Sequence, residues 1–376
     1  MGITVGIYSD AVIQSRDTGL GRHARELLSG VASQEGIDAL HPISAYGDPA
    51  DSEHRKIQEN YSMTFMPGKR RYRALAWYLF GMPSIDRYIP EVDIVHVAEL
   101  NMPVPTRKPW LVTVHDIGPL SHPHFFTDSG YPWLMKKSLE LAAEKASAII
   151  SISEATANEI REYLGKDLEI TVIPYGISEV FRNEADISTI EQIDNMPPKD
   201  TPFFFFAGSL NPRKNMSGIL DAFEMVSDRL PHHLVVAGNV GWGHSSTLER
   251  FETSRVKDRI HWIGQMNDSQ MAALYSRAEA LVFPSFFEGF GFPVLEAMSM
   301  GCPVITSNLS SMPEVAGGAA LLVGPDKPEE IAEAMKKIGL DRETRKSMIE
   351  KGKKNAEKYT WDKNVKAAVE VYKRIA

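Results

Sequence analysis

Cysteine and long apolar runs are scarce in this sequence. Cys302 is the single cysteine, which excludes an intrachain disulfide and a zinc site built from cysteines. A chain without disulfides suits a reducing compartment, so we expect a cytoplasmic protein. No stretch approaches the roughly 18 apolar residues that span a bilayer, and residues 1–7 lack the basic start and long apolar run of a signal peptide. Any membrane contact is therefore expected to be peripheral, at the inner face.

Basic charge and paired acidic motifs are also in short supply. The 41 Lys and Arg residues against 49 Asp and Glu give a net charge of −8, which argues against a general nucleic-acid partner. No Asp-x-Asp pair occurs, so a carboxylate-bound Mg²⁺ is not expected. The pair His122 and His124 has no further metal ligands in view. We therefore predict that the protein needs neither a metal ion nor another cofactor.

The rest of the composition is that of a globular protein with alternating strands and helices. A chain of 376 residues, 43% of them apolar, is long enough for two domains. Strand–helix alternation predicts an α/β fold with parallel sheets and right-handed crossovers. Residues 1–176 are predicted to form the first domain and 203–360 the second. The acidic, polar segment 177–202, which contains Pro197-Pro198, is predicted to be a linker.

Residues 283–298 join a buried strand to a helix through a glycine loop. The strand ends at Phe283, the loop contains Glu288-Gly289-Phe290-Gly291, and Pro293 suits the first turn of the following helix. Such a junction presents backbone N–H groups and the positive end of a helix dipole. The loop therefore predicts a phosphate site, with Gly289, Phe290 and Gly291 among the ligand-binding residues.

Two carboxylates bracket this loop. Glu288 precedes the glycines, and Glu296 lies eight positions later (296 − 288). A carboxylate at the start of such a helix can accept hydrogen bonds from ribose hydroxyls, as in dinucleotide folds. The alternative is that both are solvated glutamates that favour a helix N-terminus electrostatically.

A second strand, 203–208, leads to two adjacent cations. Arg213 offers a planar guanidinium and Lys214 a point charge, and together they can clamp a phosphate. Two exposed surface bases are the alternative. Gly208 and Ser209 at the end of this strand are predicted to contact the same ligand. Two further predicted contacts, at the ends of the following strands, are Gly238 and Gln265.

The first half offers weaker signals. Gly19 and Gly21 stand between the strand 3–8 and a helix predicted for 23–31, where a glycine turn can offer N–H groups to a ligand. A plain turn is equally consistent with this short motif. His115 and Asp116 follow the strand 110–114, and ligands bind at the carboxyl ends of parallel strands. A lone His at a strand end is more often structural.

A basic and aromatic segment follows residue 68. The cations Lys69, Arg70, Arg71 and Arg73 run directly into the apolar stretch 74–80. On an acidic protein, this combination suggests a face that meets anionic lipid headgroups or binds a phosphorylated acceptor. A solvated helix with an aromatic core stripe is the alternative.

The segment 283–305, F-P-S-F-F-E-G-F-G-F-P-V-L-E-A-M-S-M-G-C-P-V-I, resembles the E-x7-E signature of family-4 retaining glycosyltransferases. The stretches V-T-V-H-D-I-G-P-L-S-H-P and S-I-S-E-A-T resemble other elements of that family. The resemblance implies the GT-B architecture, in which two Rossmann-like domains with parallel sheets face a central cleft. It also implies an acceptor-binding first domain on which the helix 361–376 packs, and a donor-binding second domain.

The resemblance assigns roles to individual residues. Glu288 is expected beside the transferred sugar and Glu296 on the nucleotide ribose. His115 is expected to contact the donor sugar and Asp116 the acceptor. Many members have an Arg directly after the strand-end glycine, where this chain has Ser209. Arg213 is expected to supply that charge.

The implied function is transfer of a hexose, with retention, from a nucleotide-diphosphate sugar to a hydroxyl of a glycan or lipid-linked acceptor. GDP-mannose is favoured slightly over a UDP-hexose, because N-P-R-K-N and S-S-M-P-E-V-A-G-G-A-A-L-L-V resemble mannosyltransferase-like members. Same-face attack is favoured over a covalent intermediate, because no second catalytic carboxylate pair is evident. A nucleotide-sugar epimerase, a phosphorylase on the same fold, and a non-catalytic binding protein remain as alternatives.

Overall fold

Parallel sheets with helices on both faces make up both halves of the protein. The computed structural model describes residues 2–14, 18–48, 50–126, 132–241 and 245–376. The chain divides into two units, the first formed by 1–176 together with 361–376 and the second by 177–360.

The first unit contains a seven-stranded parallel sheet in the order β3-β2-β1-β4-β5-β6-β7. Its strands are β1 (Ile3–Tyr8), β2 (Ile37–Ser44), β3 (Thr64–Phe65), β4 (Ile94–Val97), β5 (Trp110–Val114), β6 (Ala148–Ser151) and β7 (Ile170–Val172). Its helices are α1 (Ala11–Gln14), α2 (Gly19–Val31), α3 (Ser52–Tyr61), α4 (Arg70–Phe80), α5 (Gly118–Ser121), α6 (Pro132–Lys145), α7 (Glu154–Leu164) and, much later in the chain, α15 (Trp361–Ile375).

Both faces of the sheet are buried at its central strands, which explains why β4, β5 and β6 are mostly apolar runs. Successive residues of β5 point to opposite faces. Leu111 packs in the core shared with α2 and α15, whereas Val112 packs in the core shared with α4, α6 and α7. The helix α15 is fixed by Tyr372, whose hydroxyl lies 2.7 Å from His96 Nδ1, and by Asn364, which donates to Pro174 O at 2.9 Å.

The second unit contains a six-stranded parallel sheet in the order β10-β9-β8-β11-β12-β13. Its strands are β8 (Phe203–Ala207), β9 (His233–Ala237), β10 (Ile260–Gly264), β11 (Ala280–Phe283), β12 (Val304–Ser307) and β13 (Leu321–Val323). Its helices are α8 (Met216–Val226), α9 (Ser245–Thr253), α10 (Asp268–Arg277), α11 (Phe292–Ser299), α12 (Met312–Ala316), α13 (Pro328–Leu340) and α14 (Arg342–Ala356).

The segment 177–202, predicted to be a linker, packs within the second unit. Phe181 is buried against Tyr275, with ring centroids 6.0 Å apart. Asn195 donates to Trp262 O at 3.1 Å. The segment therefore adds an aromatic anchor to that unit, although its sequence is mostly polar.

Two elements of the first unit differ from the sequence-based expectation. The strand β2 was not predicted, because its polar residues and Pro42 are atypical of a strand inside a sheet. The helix α2 begins at Gly19 rather than at His23, with Thr18 as its N-cap. The glycines predicted to form a loop therefore lie in the first turn of a helix.

Candidate active site

The ends of β8 and β11 bring two loops of the second unit together, because these strands are neighbours in the sheet. Asn215 joins the loops. Its φ of +59° places it in the left-handed region, and its side chain accepts from Gly218 N at 3.2 Å as the N-cap of α8. The same side chain donates to Pro284 O at 3.3 Å and to Pro325 O at 2.5 Å. Three segments of chain are thereby held around the residues that precede α8.

A three-residue ion cluster lies at this junction. Glu288 Oε1 is 2.7 Å from Arg213 Nη1 and 2.5 Å from Lys214 Nζ. Arg213 also donates to Phe287 O at 2.5 Å, and Lys214 Nζ lies 4.5 Å from the centroid of the Phe283 ring. The sequence predicted Arg213 and Lys214 as a phosphate clamp and Glu288 beside the transferred sugar, and the structure brings the three into direct contact.

Burial and charge act together on the acidities of this cluster. Burial raises the pKa of Glu288, but the adjacent cations Arg213 and Lys214 outweigh it and lower the pKa to about 2. Burial lowers the pKa of Lys214 to about 8; Glu288 opposes this change and Arg213 adds to it. At neutral pH the cluster therefore holds two cations and one carboxylate, a net positive charge in a buried setting.

Neither bracketing carboxylate is solvated. Glu288 is 8% exposed and Glu296 6% exposed, which contradicts the alternative of two surface glutamates. Glu296 lies in the second turn of α11 and accepts a hydrogen bond from the Tyr275 hydroxyl at 3.1 Å. Burying a carboxylate is costly unless it is paired. Both glutamates therefore occupy specific places at the start of α11.

The glycine loop is fixed by two serines of the segment 308–314, which resembles the family's donor-phosphate loop but whose serines were given no individual role from the sequence. Ser310 donates to Glu288 O at 2.5 Å, and Ser311 lies 2.8 Å from Glu288 O and 2.7 Å from Phe290 O. Gly291 has a φ of +119° and precedes α11, whose first turn contains proline as predicted. The Phe290 side chain is buried against Tyr359, so only its backbone remains a candidate ligand contact. The hydroxyl pattern Ser310-Ser311 was the available signal.

Gly208 and Gly238 end adjacent strands and lie in close contact. Their φ angles are +146° and +145°, and a Cβ at Gly238 would lie 1.9 Å from Gly208 O. Ser209 accepts from Asn211 Nδ2 at 3.0 Å, and the exposed Gln265 accepts from Asn239 Nδ2 at 2.8 Å. Residues 242–244, in the loop that follows β9, lie outside the described residues.

In the first unit, His115 is held from both sides. Its Nε2–H donates to Ala98 O at 2.7 Å, and its Nδ1 accepts from the Tyr175 hydroxyl. Burial lowers the pKa of His115 to about 4, so the ring is neutral. Asp116 accepts from Gly118 N at 2.9 Å. A hydrogen bond from His115 to a sugar would require one of its present partners to move.

His23 was missed by the sequence analysis. Its ring centroid lies 5.1 Å from that of His115 and 5.1 Å from that of Tyr175. It is almost fully buried, and burial, with smaller contributions from His115 and His96, holds its pKa well below the ordinary value. Its position just after the two glycines was the only signal in the sequence. Gly21 N–H is already used, since Thr18 Oγ1 accepts it at 3.4 Å.

A buried carboxylate pair at the ends of β1 and β4 was also missed. Asp10 accepts from Ser44 Oγ at 2.7 Å, and Glu99 accepts from Ser9 Oγ at 2.8 Å. Burial, together with the charge of Asp10, raises the pKa of Glu99 to about 8. Arg70 Nε lies 2.9 Å from Asp10 Oδ2, so this cation is paired within the fold.

The other basic residues of the segment divide into two groups. Lys69 and Arg71 are exposed. Arg73 is buried and donates to Ala45 O at 2.9 Å and to Pro67 O. Arg73 therefore stabilises the fold of this segment, which corrects its predicted role as an acceptor contact. Arg70 is likewise engaged within the fold, through its ion pair with Asp10 just after β1.

Among the described parts of the chain, no group of three or more His, Cys, Asp or Glu side chains could hold a metal ion. In those ranges no helix combines the length and apolar character needed to cross a bilayer.

Comparisons with known proteins agree with this architecture. A family model described as "Glycosyl transferases group 1" matches residues 188–355, and one described as "Glycosyltransferase Family 4" matches residues 18–180. The O-antigen chain mannosyltransferase B of Escherichia coli is 25% identical over 98% of this chain and 99% of its own. The O-antigen chain mannosyltransferase RfbU of Salmonella typhimurium is 24% identical over 85% and 87%, respectively.

A solved structure shows the same fold over the full length. Sucrose-phosphate synthase from Thermosynechococcus elongatus superposes with a TM-score of 0.76 at 19% identity, covering 99% of this chain and 98% of that one. The two models together extend from residue 18 to residue 355. The chain therefore belongs to the family-4 glycosyltransferases, with the two-domain GT-B fold.

Proposed function

We propose that this glycosyltransferase moves a hexose, with retention, from a nucleotide-diphosphate sugar to a hydroxyl of a glycan or lipid-linked acceptor. GDP-mannose is the preferred donor and a UDP-hexose the second candidate. The observation that carries the proposal is the buried cluster of Arg213, Lys214 and Glu288 beside the start of α11.

The cluster is suited to a departing diphosphate. Breaking the bond to the anomeric carbon builds negative charge on the β-phosphate. Arg213, Lys214 and the N-terminus of α11 would stabilise that charge. These groups make a divalent metal ion unnecessary in the proposed mechanism. Glu296, buried next to Tyr275, would accept the ribose hydroxyls.

Glu288 has a different role in the proposal. In the structure its carboxylate neutralises part of the charge of Arg213 and Lys214. A bound diphosphate would take over these cations, which frees the carboxylate to face the sugar. There it would steady positive charge at the anomeric carbon during attack by the acceptor on the same face.

The preference for mannose rests on similarity. The two O-antigen relatives are named as mannosyltransferases. A glycan or glycolipid acceptor is consistent with those names. A role in polysaccharide biosynthesis at the cytoplasmic side of a membrane is consistent with them too. The first unit, with His115 and Asp116 at the end of β5, is the proposed acceptor-binding domain.

The donor assignment can be tested by binding and kinetics. In a thermal-shift screen of GDP-, UDP- and ADP-sugars, we expect GDP-mannose to give the largest stabilisation. Lys214→Ala and Glu296→Ala should each weaken donor binding at least about tenfold, because each removes a buried ligand contact worth roughly 1.5–3 kcal/mol. Lys199→Ala is a matched control, since Lys199 pairs only on the surface with Glu191. If titration calorimetry gives an unchanged donor affinity for both site variants, the proposed nucleotide site is refuted.

Incubation of the donor without acceptor separates the alternative activities. A transferase releases little product under these conditions, whereas an epimerase converts the sugar nucleotide by itself. Mass spectrometry of products from a glycolipid extract then identifies the acceptor class.

Donor binding should weaken at alkaline pH. Because burial lowers the pKa of Lys214 to about 8, the lysine loses its charge as the pH rises above that value. A bound anion raises the pKa of the lysine, so the ligand binds most tightly below pH 8, where the lysine is already protonated. Above pH 8 the affinity for the ligand falls by up to about tenfold per pH unit. Titration of GDP from pH 7 to pH 9.5 measures this. Lys214→Arg should abolish the decline, since arginine stays charged throughout this range; the same slope in this variant would exclude Lys214 as the titrating group.

A further inference from the structure

An apolar surface with a basic border lies on two helices of the first unit. We define the α4–α6 surface by the exposed side chains of α4, its C-terminal extension and the start of α6: Tyr72, Leu75, Leu79, Phe80, Met82 and Trp133. Leu79 is 56% exposed and Phe80 75% exposed. Single exposed apolar residues are ordinary, but a contiguous group of this size usually marks an interaction site.

The spacing of these residues shows that α4 turns an apolar face outward. Tyr72, Leu75 and Leu79 are three and four positions apart, so they lie on one side of the helix. Its buried residues, Arg73, Ala74 and Trp77, lie on the opposite side. The outward face of a surface helix is ordinarily polar, because solvent covers it. Here a helix already packed by one face has a second apolar face with no protein against it among the described residues.

Positive charge borders this surface. Lys69 and Arg71 at the start of α4, and Lys136 and Lys137 on α6, are all exposed. The sequence of α4 contains neither Asp nor Glu, and the first acidic residue of α6 is Glu140, one turn beyond the lysines. The whole chain has a net charge of −8, so this concentration of cations is local.

The surface is held rigidly on the unit. Tyr78 and Trp133 meet edge to face, with ring centroids 4.5 Å apart, which links α4 to α6. Trp77 Nε1 donates to Pro83 O at 2.8 Å beneath the apolar face, and the ion pair of Arg70 with Asp10 ties the start of α4 to the end of β1. The exposed side chains therefore extend from a helix that is fixed to the first unit at both its start and its end.

We propose that the α4–α6 surface docks on an anionic lipid bilayer. Leucine, phenylalanine and tryptophan side chains enter the boundary between headgroups and acyl chains, and the bordering lysines and arginine meet the anionic headgroups. The apolar face and the cations together favour this partner over an acidic protein, which would cover the cations but leave Leu79 and Phe80 in water. Membrane docking by this surface is independent of the proposed transfer reaction, and it can be tested without measuring sugar transfer.

Vesicle sedimentation of the full chain tests the proposal. We expect binding to vesicles of phosphatidylcholine mixed with phosphatidylglycerol, and weaker binding to phosphatidylcholine alone or at high salt. The double variant Leu79→Ser with Phe80→Ser should bind at least about tenfold more weakly, because it removes apolar insertion. Lys136→Glu with Lys137→Glu should lose a similar factor on anionic vesicles only.

Matched controls come from the second unit. Met225→Ser and Leu340→Ser change apolar residues that are 54% and 63% exposed, and should leave vesicle binding unchanged. Thermal unfolding verifies that every variant is folded. Equal binding by wild type and both double variants would overturn the proposal, as would the absence of wild-type binding. A wild-type dimer that the apolar variant converts to a monomer, without vesicle binding, would instead assign this surface to a second copy of the chain.

Discussion

Glu288→Gln is expected to lower turnover by about 10²–10³-fold while leaving GDP affinity unchanged or several-fold higher. The substitution removes the one carboxylate from a buried cluster that contains Arg213 and Lys214. A diphosphate then no longer competes with an internal anion for these cations. The transition state loses the carboxylate that would face the anomeric carbon, so the loss falls on kcat rather than on binding.

The two effects can be measured separately. GDP affinity is best determined by calorimetry near pH 6.5, because Lys214 loses a stabilising partner in the variant and must stay protonated. Turnover is measured with the donor found in the thermal-shift screen. Glu333→Gln is a suitable control, since Glu333 pairs with Lys336 on the surface of α13. A large loss of GDP affinity with turnover intact would assign Glu288 to nucleotide binding instead of catalysis.

Gly238→Ala is expected to cost at least about 3 kcal/mol of stability in the second unit. The new Cβ would lie 1.9 Å from Gly208 O, a backbone atom just after the adjacent strand that no side-chain rotation can move away. The φ of +145° adds strain that no L-residue avoids. The strand ends would have to separate, which would displace two of the residues proposed to contact the donor.

Gly208→Ala separates steric overlap from backbone strain. Gly208 has nearly the same φ, +146°, but the nearest atom to its added Cβ is Lys214 Cε at 3.6 Å. Its loss should stay within about 1–3 kcal/mol, the cost of an unfavourable backbone conformation. Urea unfolding followed by circular dichroism gives both values, and the transition that GDP shifts identifies the second unit. Equal losses in the two variants would show that the strand ends adjust to the clash.

Local chemistry made much of the second unit predictable. The strand 280–283, the glycine loop and the helix start with Pro293 follow from apolar continuity, glycine placement and the fixed φ of proline. The β1 and β5 bounds were also predicted as observed, since both strands are apolar runs ended by polar residues. These features depend on neighbours within a few residues.

Long-range partners were not predictable in the same way. The contact between Lys214 and Glu288 spans 74 residues and exists because β8 and β11 are neighbours in the sheet. The sequence placed each residue at a loop but could not assign the pairing. Arg73 shows the converse error, because its charge suggested a surface whereas the carbonyls of Ala45 and Pro67 bind it in the interior.

The position of α15 has a consequence for synthesis on the ribosome. This helix supplies Val365, Val369 and Tyr372 to the core of a sheet whose strands all precede residue 173. The amino-terminal half therefore emerges with the part of this core that α15 covers still exposed, and it stays so until the intervening residues 177–360 have been made. The later half can complete its own core first, so a nascent chain would acquire its structure in an order opposite to that of translation.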